Sequence, residues 1–264
     1  MSSNAHAHAP LLEAKAYDEP SEFRPENLLR EARRQKDLEE RPVPRVCLLD
    51  PDGDVVRSLK RTGRGARSSA WACYHTELIE FDVEGETCGV VGCAVGSSFA
   101  VLIAEQLFAS GCELLVSITS SGQIVAAGAT PYFVLIDRAL RDEGTSYHYL
   151  PPSEWSELPA AVRAAAARLV EGVPGLKRGA TWTTDAPFRE TATTIERARK
   201  LGVLAVEMEA AALYALAAAR GQAVLCFAHV TNQMARIEGD FEKGEDMGAR
   251  DALGLFAATV AACR

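Results

Sequence analysis

Residues 203–220, VLAVEMEAAALYALAAAR, join two kinds of backbone. Val203 to Val206 is an apolar run of strand length, and Ala210 to Arg220 is built from strong helix formers that stop before Gly221, a residue suited to a helix C-cap. Glu207, Met208 and Glu209 therefore fall where a strand becomes a helix. In a parallel α/β sheet that junction opens onto the ligand crevice, where a carboxylate can accept hydrogen bonds from the hydroxyls of a substrate such as a ribose. The backbone dipole also favours acidic residues near a helix N-terminus, so two glutamates alone do not define a site.

Outward from this junction the chain alternates between strand and helix patterns. VCLLD (46–50) reads as a short buried strand, and residues 74–81 and 88–95 as two strands of a hairpin or sheet corner. SFAVLIAEQLFAS is a helix stopped at Gly111 and followed by the strand CELLVSI, a βαβ unit. PYFVLID (131–137), the strand inside GATWTTDAPFRET (179–191) and AVLCFAHVTNQM (223–234) add further strands, and ARDALGLFAATVAAC closes the chain as a helix. Residues 153–170 are expected to form one outer helix interrupted at Pro159. DPDGDVVRSLKRTGRGAR is expected to be a basic turn, of a composition suited to an anion, TSSGQ (119–123) a polar loop, and RIEGDFEKGEDMG a lid-like segment.

Composition narrows the function. With 264 residues and a net charge of -8, the chain is long enough for a sizeable core and lacks the basic face that nucleic acid or an anionic membrane requires. Its seven cysteines are scattered without a CxxC pair, the usage of a reducing compartment. No signal-peptide pattern or membrane-length apolar run is present, so a cytoplasmic protein is expected. His6 and His8 have no further ligand near them in sequence, and no metal site is expected. Residues 1–44 read as an N-terminal extension with one helix beginning at Pro25, and 45–264 as the catalytic domain.

VEMEAAALY resembles the EMEA segment of the nucleoside phosphorylase and uridine phosphorylase family, and the resemblance covers about residues 45–263. It implies an α/β fold, a three-layer sandwich with a mixed, partly barrel-like central sheet. It also implies that Glu209 takes the ribose hydroxyls, with Met208 against the sugar and Glu207 beside them. DGDVVR lies where that family carries its PGDPxR phosphate loop, which puts Gly53 and Arg57 on phosphate. TSSGQ lies at the RVGSCGA loop, matching Ser120 and Gly122, although the family's arginine there falls on Ser117. Phe188 and Arg189 follow a TTD at the loop used against the base, and Asn232 stands where purine-cleaving relatives place an aspartate.

The implied reaction is phosphorolysis of a purine or pyrimidine nucleoside to free base and ribose 1-phosphate. Arg57 would bring phosphate to the anomeric carbon, Glu209 would hold the ribose and Asn232 would stabilise the leaving base. Phosphate is then a co-substrate, no cofactor is needed, and the resemblance implies a homo-oligomer, a dimer or hexamer. Ser117 motivates a nucleosidase that uses water instead, and a non-catalytic nucleoside-binding protein is the third reading.

Overall fold

The computed structural model describes residues 9–13, 15–234 and 238–264, so His6 and His8 lie outside it. Its α-helices are α1 (Pro25–Lys36), α2 (Asp54–Thr62), α3 (Ser97–Ala109), α4 (Arg163–Gly172), α5 (Ala192–Lys200), α6 (Ala210–Arg220) and α7 (Ala249–Cys263). The strands are β1 (Val46–Asp50), β2 (Gly65–Arg67), β3 (Leu78–Val83), β4 (Glu86–Gly92), β5 (Leu114–Gln123), β6 (Tyr132–Asp142), β7 (Trp155–Glu157), β8 (Lys177–Thr184), β9 (Val203–Glu207) and β10 (Ala223–Asn232).

All ten strands belong to one mixed sheet in the order β10-β6-β8-β9-β5-β1-β4-β3-β2, with β7 on the edge of β6. A second pairing, β10 with β5, joins the ends of its first five strands, so β5, β10, β6, β8 and β9 form a closed barrel. Closure removes the exposed edges that an open sheet would leave at those strands. Beyond β5 the sheet continues open through β1 and β4, both parallel, and then the β3–β4 and β2–β3 antiparallel pairs. Helices α3 and α6 pack together on one side with α1 against α3, while α7 packs on α2 and α4. The arrangement is the three-layer α/β architecture with a barrel-like central sheet.

The runs with strong apolar patterns fold as expected, and Gly221 ends α6 in the left-handed conformation. Three segments differ. Residues 119–123 are not a loop: β5 runs through Gln123, because its polar end pairs with β10 on one side (Gly122 opposite Asn232) and β9 on the other (Gly122 opposite Val206). Residues 54–62 are helical, with Gly53 at φ 79° turning the chain from β1 into α2. Residues 153–170 are not one helix. Trp155–Glu157 adds an edge strand to β6, a short 3₁₀ turn follows Pro159, and the α-helix starts at Arg163. An additional helix, α5, is capped by the Thr191 hydroxyl, which accepts from the Thr194 N–H.

Candidate active site

The turn from β9 into α6 gives its two glutamates different surroundings. Glu207 is 3% exposed, and its carboxylate accepts from the Thr181 and Thr183 hydroxyls and from the N–H groups of Glu209 (2.7 Å) and Ala210 (2.8 Å). Two of those donors belong to the start of α6, so Glu207 caps the helix from two residues upstream. Glu209 is 1% exposed and accepts from the Gly96 N–H at 2.7 Å and the Met208 N–H at 3.3 Å. Burial pushes its carboxyl up to about 8, with the nearby Glu207 charge adding to the effect and the Gly96 amide and Thr119 hydroxyl opposing it. Burial also raises Glu207, held back by its four donors.

The start of α3 secures this turn. Gly96 has φ 93° and ψ 146°, a backbone conformation open to glycine, which aims its N–H at Glu209. The Ser97 hydroxyl donates to the Met208 carbonyl at 2.8 Å. Neither residue stood out as a site residue in the sequence, although the Gly-Ser-Ser opening of a helix was visible there.

A second cluster lies at the C-terminal ends of β1 and β5. Asp52 accepts the Ser120 N–H at 2.9 Å, and the Ser120 hydroxyl shares a 2.9 Å hydrogen bond with Thr231. Arg57, in the first turn of α2, donates to Asp54 at 2.5 Å and to the Asp52 carbonyl at 2.8 Å. Lys243 reaches in from the segment before α7, with its Nζ 2.6 Å from Asp54 and 3.9 Å from Asp52. Asp50 is buried and accepts the Val56 N–H; burial pushes its carboxyl up to about 7, a rise that Asp52 and Asp54 reinforce. Thr119 stands between the two clusters, since its hydroxyl holds down the rise of the Glu209 carboxyl and it also lines the cavity beside Asp52.

The other predicted residues are distributed as follows. Gly53 stands at the entry to α2, where an added Cβ would lie 2.5 Å from the Cys93 sulfur and 2.9 Å from the Arg57 guanidinium. Gly122 pairs with Asn232 across β5 and β10, and its missing side chain leaves room for Met234 and Asn232. Asn232 is buried; its amide donates to the Thr231 hydroxyl, and its Oδ1 accepts the Met234 N–H. Ser117, at the position of the expected arginine, is buried, with no hydrogen-bond partner for its hydroxyl among the described residues. Phe188 and Arg189 form a 3₁₀ turn after β8 in which Phe188 is 100% exposed and Arg189 is exposed, so neither is gathered into the buried cluster. Sequence reasoning missed Asp52, Thr119, His229 and Lys243, which come from four separate segments.

A closed barrel extended by an open sheet, with a buried carboxylate where β9 turns into α6, defines an α/β protein of the nucleoside phosphorylase-like fold. The family model described as the phosphorylase superfamily matches residues 46–261, and the chain belongs to that superfamily. Among solved structures it is similar to uridine phosphorylase from Vibrio fischeri ES114, with a TM-score of 0.68 at 19% identity over 85% of this chain and 95% of that one. The same enzyme complexed with 6-hydroxy-1-naphthoic acid gives a TM-score of 0.65 at 15% identity, covering 87% of this chain and 91% of that one. No curated protein matches the chain. Among the described residues, no helix is long and apolar enough to cross a membrane.

Proposed function

We propose that the chain cleaves the N-glycosidic bond of a nucleoside and that water is the attacking group. The observation that carries the choice of water is the Asp52 carboxylate on the Ser120 N–H, the amide that an incoming phosphate would need. The guanidinium of Arg57 is likewise engaged by Asp54, and a small buried hydroxyl stands at Ser117 in place of the expected arginine. A phosphate dianion entering this corner would meet the carboxylates of Asp52 and Asp54, while the two nearby cations, Arg57 and Lys243, are already paired with Asp54. Water meets no such penalty.

Glu209 is the residue for the ribose hydroxyls, because the Glu207 oxygens are already taken by protein donors. Asp52 is the base. As the water oxygen bonds to the anomeric carbon, its proton passes to Asp52, and the electron pair of the breaking C–N bond leaves with the base. The Asn232 amide offers a hydrogen bond to that departing base. Most of the acceleration then comes from orientation and fixed dipoles. The substrate class is a purine or pyrimidine nucleoside, no cofactor enters the reaction, and the protein works in the cytoplasm, the compartment that its scattered cysteines fit, as a homo-oligomer of two or six copies, as the family resemblance implies.

Phosphorolysis is the second reading, favoured by the retained Gly53 and Arg57 at the head of α2. Incubation with a panel of nucleosides, with and without phosphate, separates the two by their sugar product. Free ribose formed in phosphate-free buffer supports hydrolysis; ribose 1-phosphate formed only when phosphate is present supports phosphorolysis and removes Asp52 from the role of base.

A further inference from the structure

Beside Asp52 lies a small cavity of mixed lining, where Thr119, Ser120, His229 and Lys243 meet apolar side chains such as Val55 and Ile118. Its volume is about 20 Å³, enough for a single water molecule, and its walls carry polar side chains with which such a water can bond. The wall residue without an assignment is His229, on β10 in register with Ser120 of β5. Its side chain is 6% exposed, and its Nε2 is buried with no hydrogen-bond partner among the described residues. A buried ring nitrogen without a partner costs free energy that packing alone does not explain.

The ring is held on two sides. It stacks on Phe133 of β6, with the ring centroids 4.3 Å apart and 19° between their planes. Gly248 lies against its other edge so closely that an added Cβ would sit 2.4 Å from His229 Cε1 and 3.0 Å from Nδ1. A fixed ring sharing a one-water cavity with Asp52 and Ser120 is suited to orienting what enters that space.

We propose that the cavity is the station of the attacking water and that His229 is a positioning residue which hydrogen-bonds it while Asp52 takes its proton. The proposal rests on the hydrolytic reading above. Burial, reinforced by the Lys243 charge, pushes the His229 imidazole down to about 4, so near neutral pH it is uncharged and offers one N–H and one lone pair. The ring therefore orients the water without competing for its proton. The chemical balance is that of hydrolysis: water adds its oxygen to the anomeric carbon, the C–N bond breaks, and the proton retained on Asp52 is later returned to the departed base or to solvent.

The test compares the full-length wild type with His229→Phe, which preserves the stack on Phe133, and His229→Gln, which restores a polar group near Nε2. Initial rates are measured in water and in water containing methanol, a competing nucleophile that carries a methyl group in place of one of the water hydrogens. His229→Phe should lower kcat by about 100-fold with KM for the nucleoside changed by less than about twofold, and should raise the ratio of methyl riboside to ribose. His229→Gln should recover part of both. Should His229→Phe fail to fold, the Gln variant alone should show an intermediate kcat and product ratio. A folded variant with wild-type kcat, or with reduced kcat and an unchanged product ratio, overturns the inference. If wild type forms no free ribose without phosphate, the hydrolytic reading has failed before His229 is at issue.

Discussion

Glu207 and Glu209 are two residues apart and chemically alike, yet the fold gives them different work. The four donors on Glu207 bind it into the start of α6, whereas Glu209 has fewer donors, deep burial and the Glu207 charge beside it. Glu209 consequently holds a proton up to about pH 8 in the folded state but only to its ordinary 4.5 when the chain unfolds. A group raised in this way contributes stability that is fully present below the unfolded value and is lost as pH rises through the folded one. Wild type should therefore lose stability relative to Glu209→Gln between about pH 4.5 and 8, and the curves should run parallel above that window. Urea denaturation of both proteins across the range checks this; a difference that is independent of pH would show that Glu209 ionises normally. The same variant should lose nucleoside cleavage, since its amide nitrogen can only donate where either carboxyl oxygen of Glu209 can accept a ribose hydroxyl.

At the scale of elements, much of the fold was visible in local pattern because burial and chain geometry agree there. Val46–Asp50 and Ala249–Cys263 have their observed limits in the sequence, one as an apolar strand and the other as a long helix former. The polar end of β5 was invisible for a physical reason: Thr119 to Gln123 have no strand-like apolar alternation, and only pairing with β10 and β9 makes them extended. Glu209, Ser120 and Asn232 could be picked out because each stands at or near the C-terminal end of a strand, in a segment that resembles a motif of the family. Asp52, His229 and Lys243 could not, since their proximity depends on tertiary approach of separate segments. The segment that brings in Lys243 is also the least relaxed backbone near the site, with Asp246, Met247 and Gly248 all at positive φ. Asp246 ties it to Ser58 and Arg61 of α2. Gly248→Ala would strain φ 80° and drive a methyl into His229 and the Lys243 carbonyl, 2.4 and 2.7 Å from the new Cβ. It should lower both the melting temperature and kcat. Gly254→Ala, in α7 with no neighbour within 4 Å of the new methyl, should instead stabilise by about 0.5–1 kcal/mol and leave kcat unchanged. Thermal melts and initial rates on the pair separate a local requirement for glycine from general tolerance.

The whole molecule depends on barrel closure, because β5 and β10 carry Ser120, His229 and Asn232 to one end of the sheet. One seam of the barrel is completed by a side chain. The antiparallel pairing of β10 with β6 runs from Val230 opposite Tyr132 to Phe227 opposite Leu135, and the next pair, Cys226 with Ile136, does not bond directly. The Tyr214 hydroxyl from α6 fills that step: it donates to the Ile136 carbonyl at 2.6 Å and accepts the Cys226 N–H at 3.2 Å. Tyr214 is 0% exposed, so solvent cannot substitute for it without a rearrangement. Tyr214→Phe would keep the ring packed while leaving a buried donor and a buried acceptor unmatched, at a cost of about 1–3 kcal/mol. At about 2–4 °C of melting temperature per kcal/mol for a chain of this size, a fall of several degrees should follow. Because the residue stands behind the sheet rather than beside Glu209 or Asp52, KM and kcat measured well below the transition should stay near wild type. A melting temperature unchanged within about 1 °C would mean that the strands close on each other without the hydroxyl, whereas a lost activity in a fully folded variant would place this bridge within the working geometry of the site.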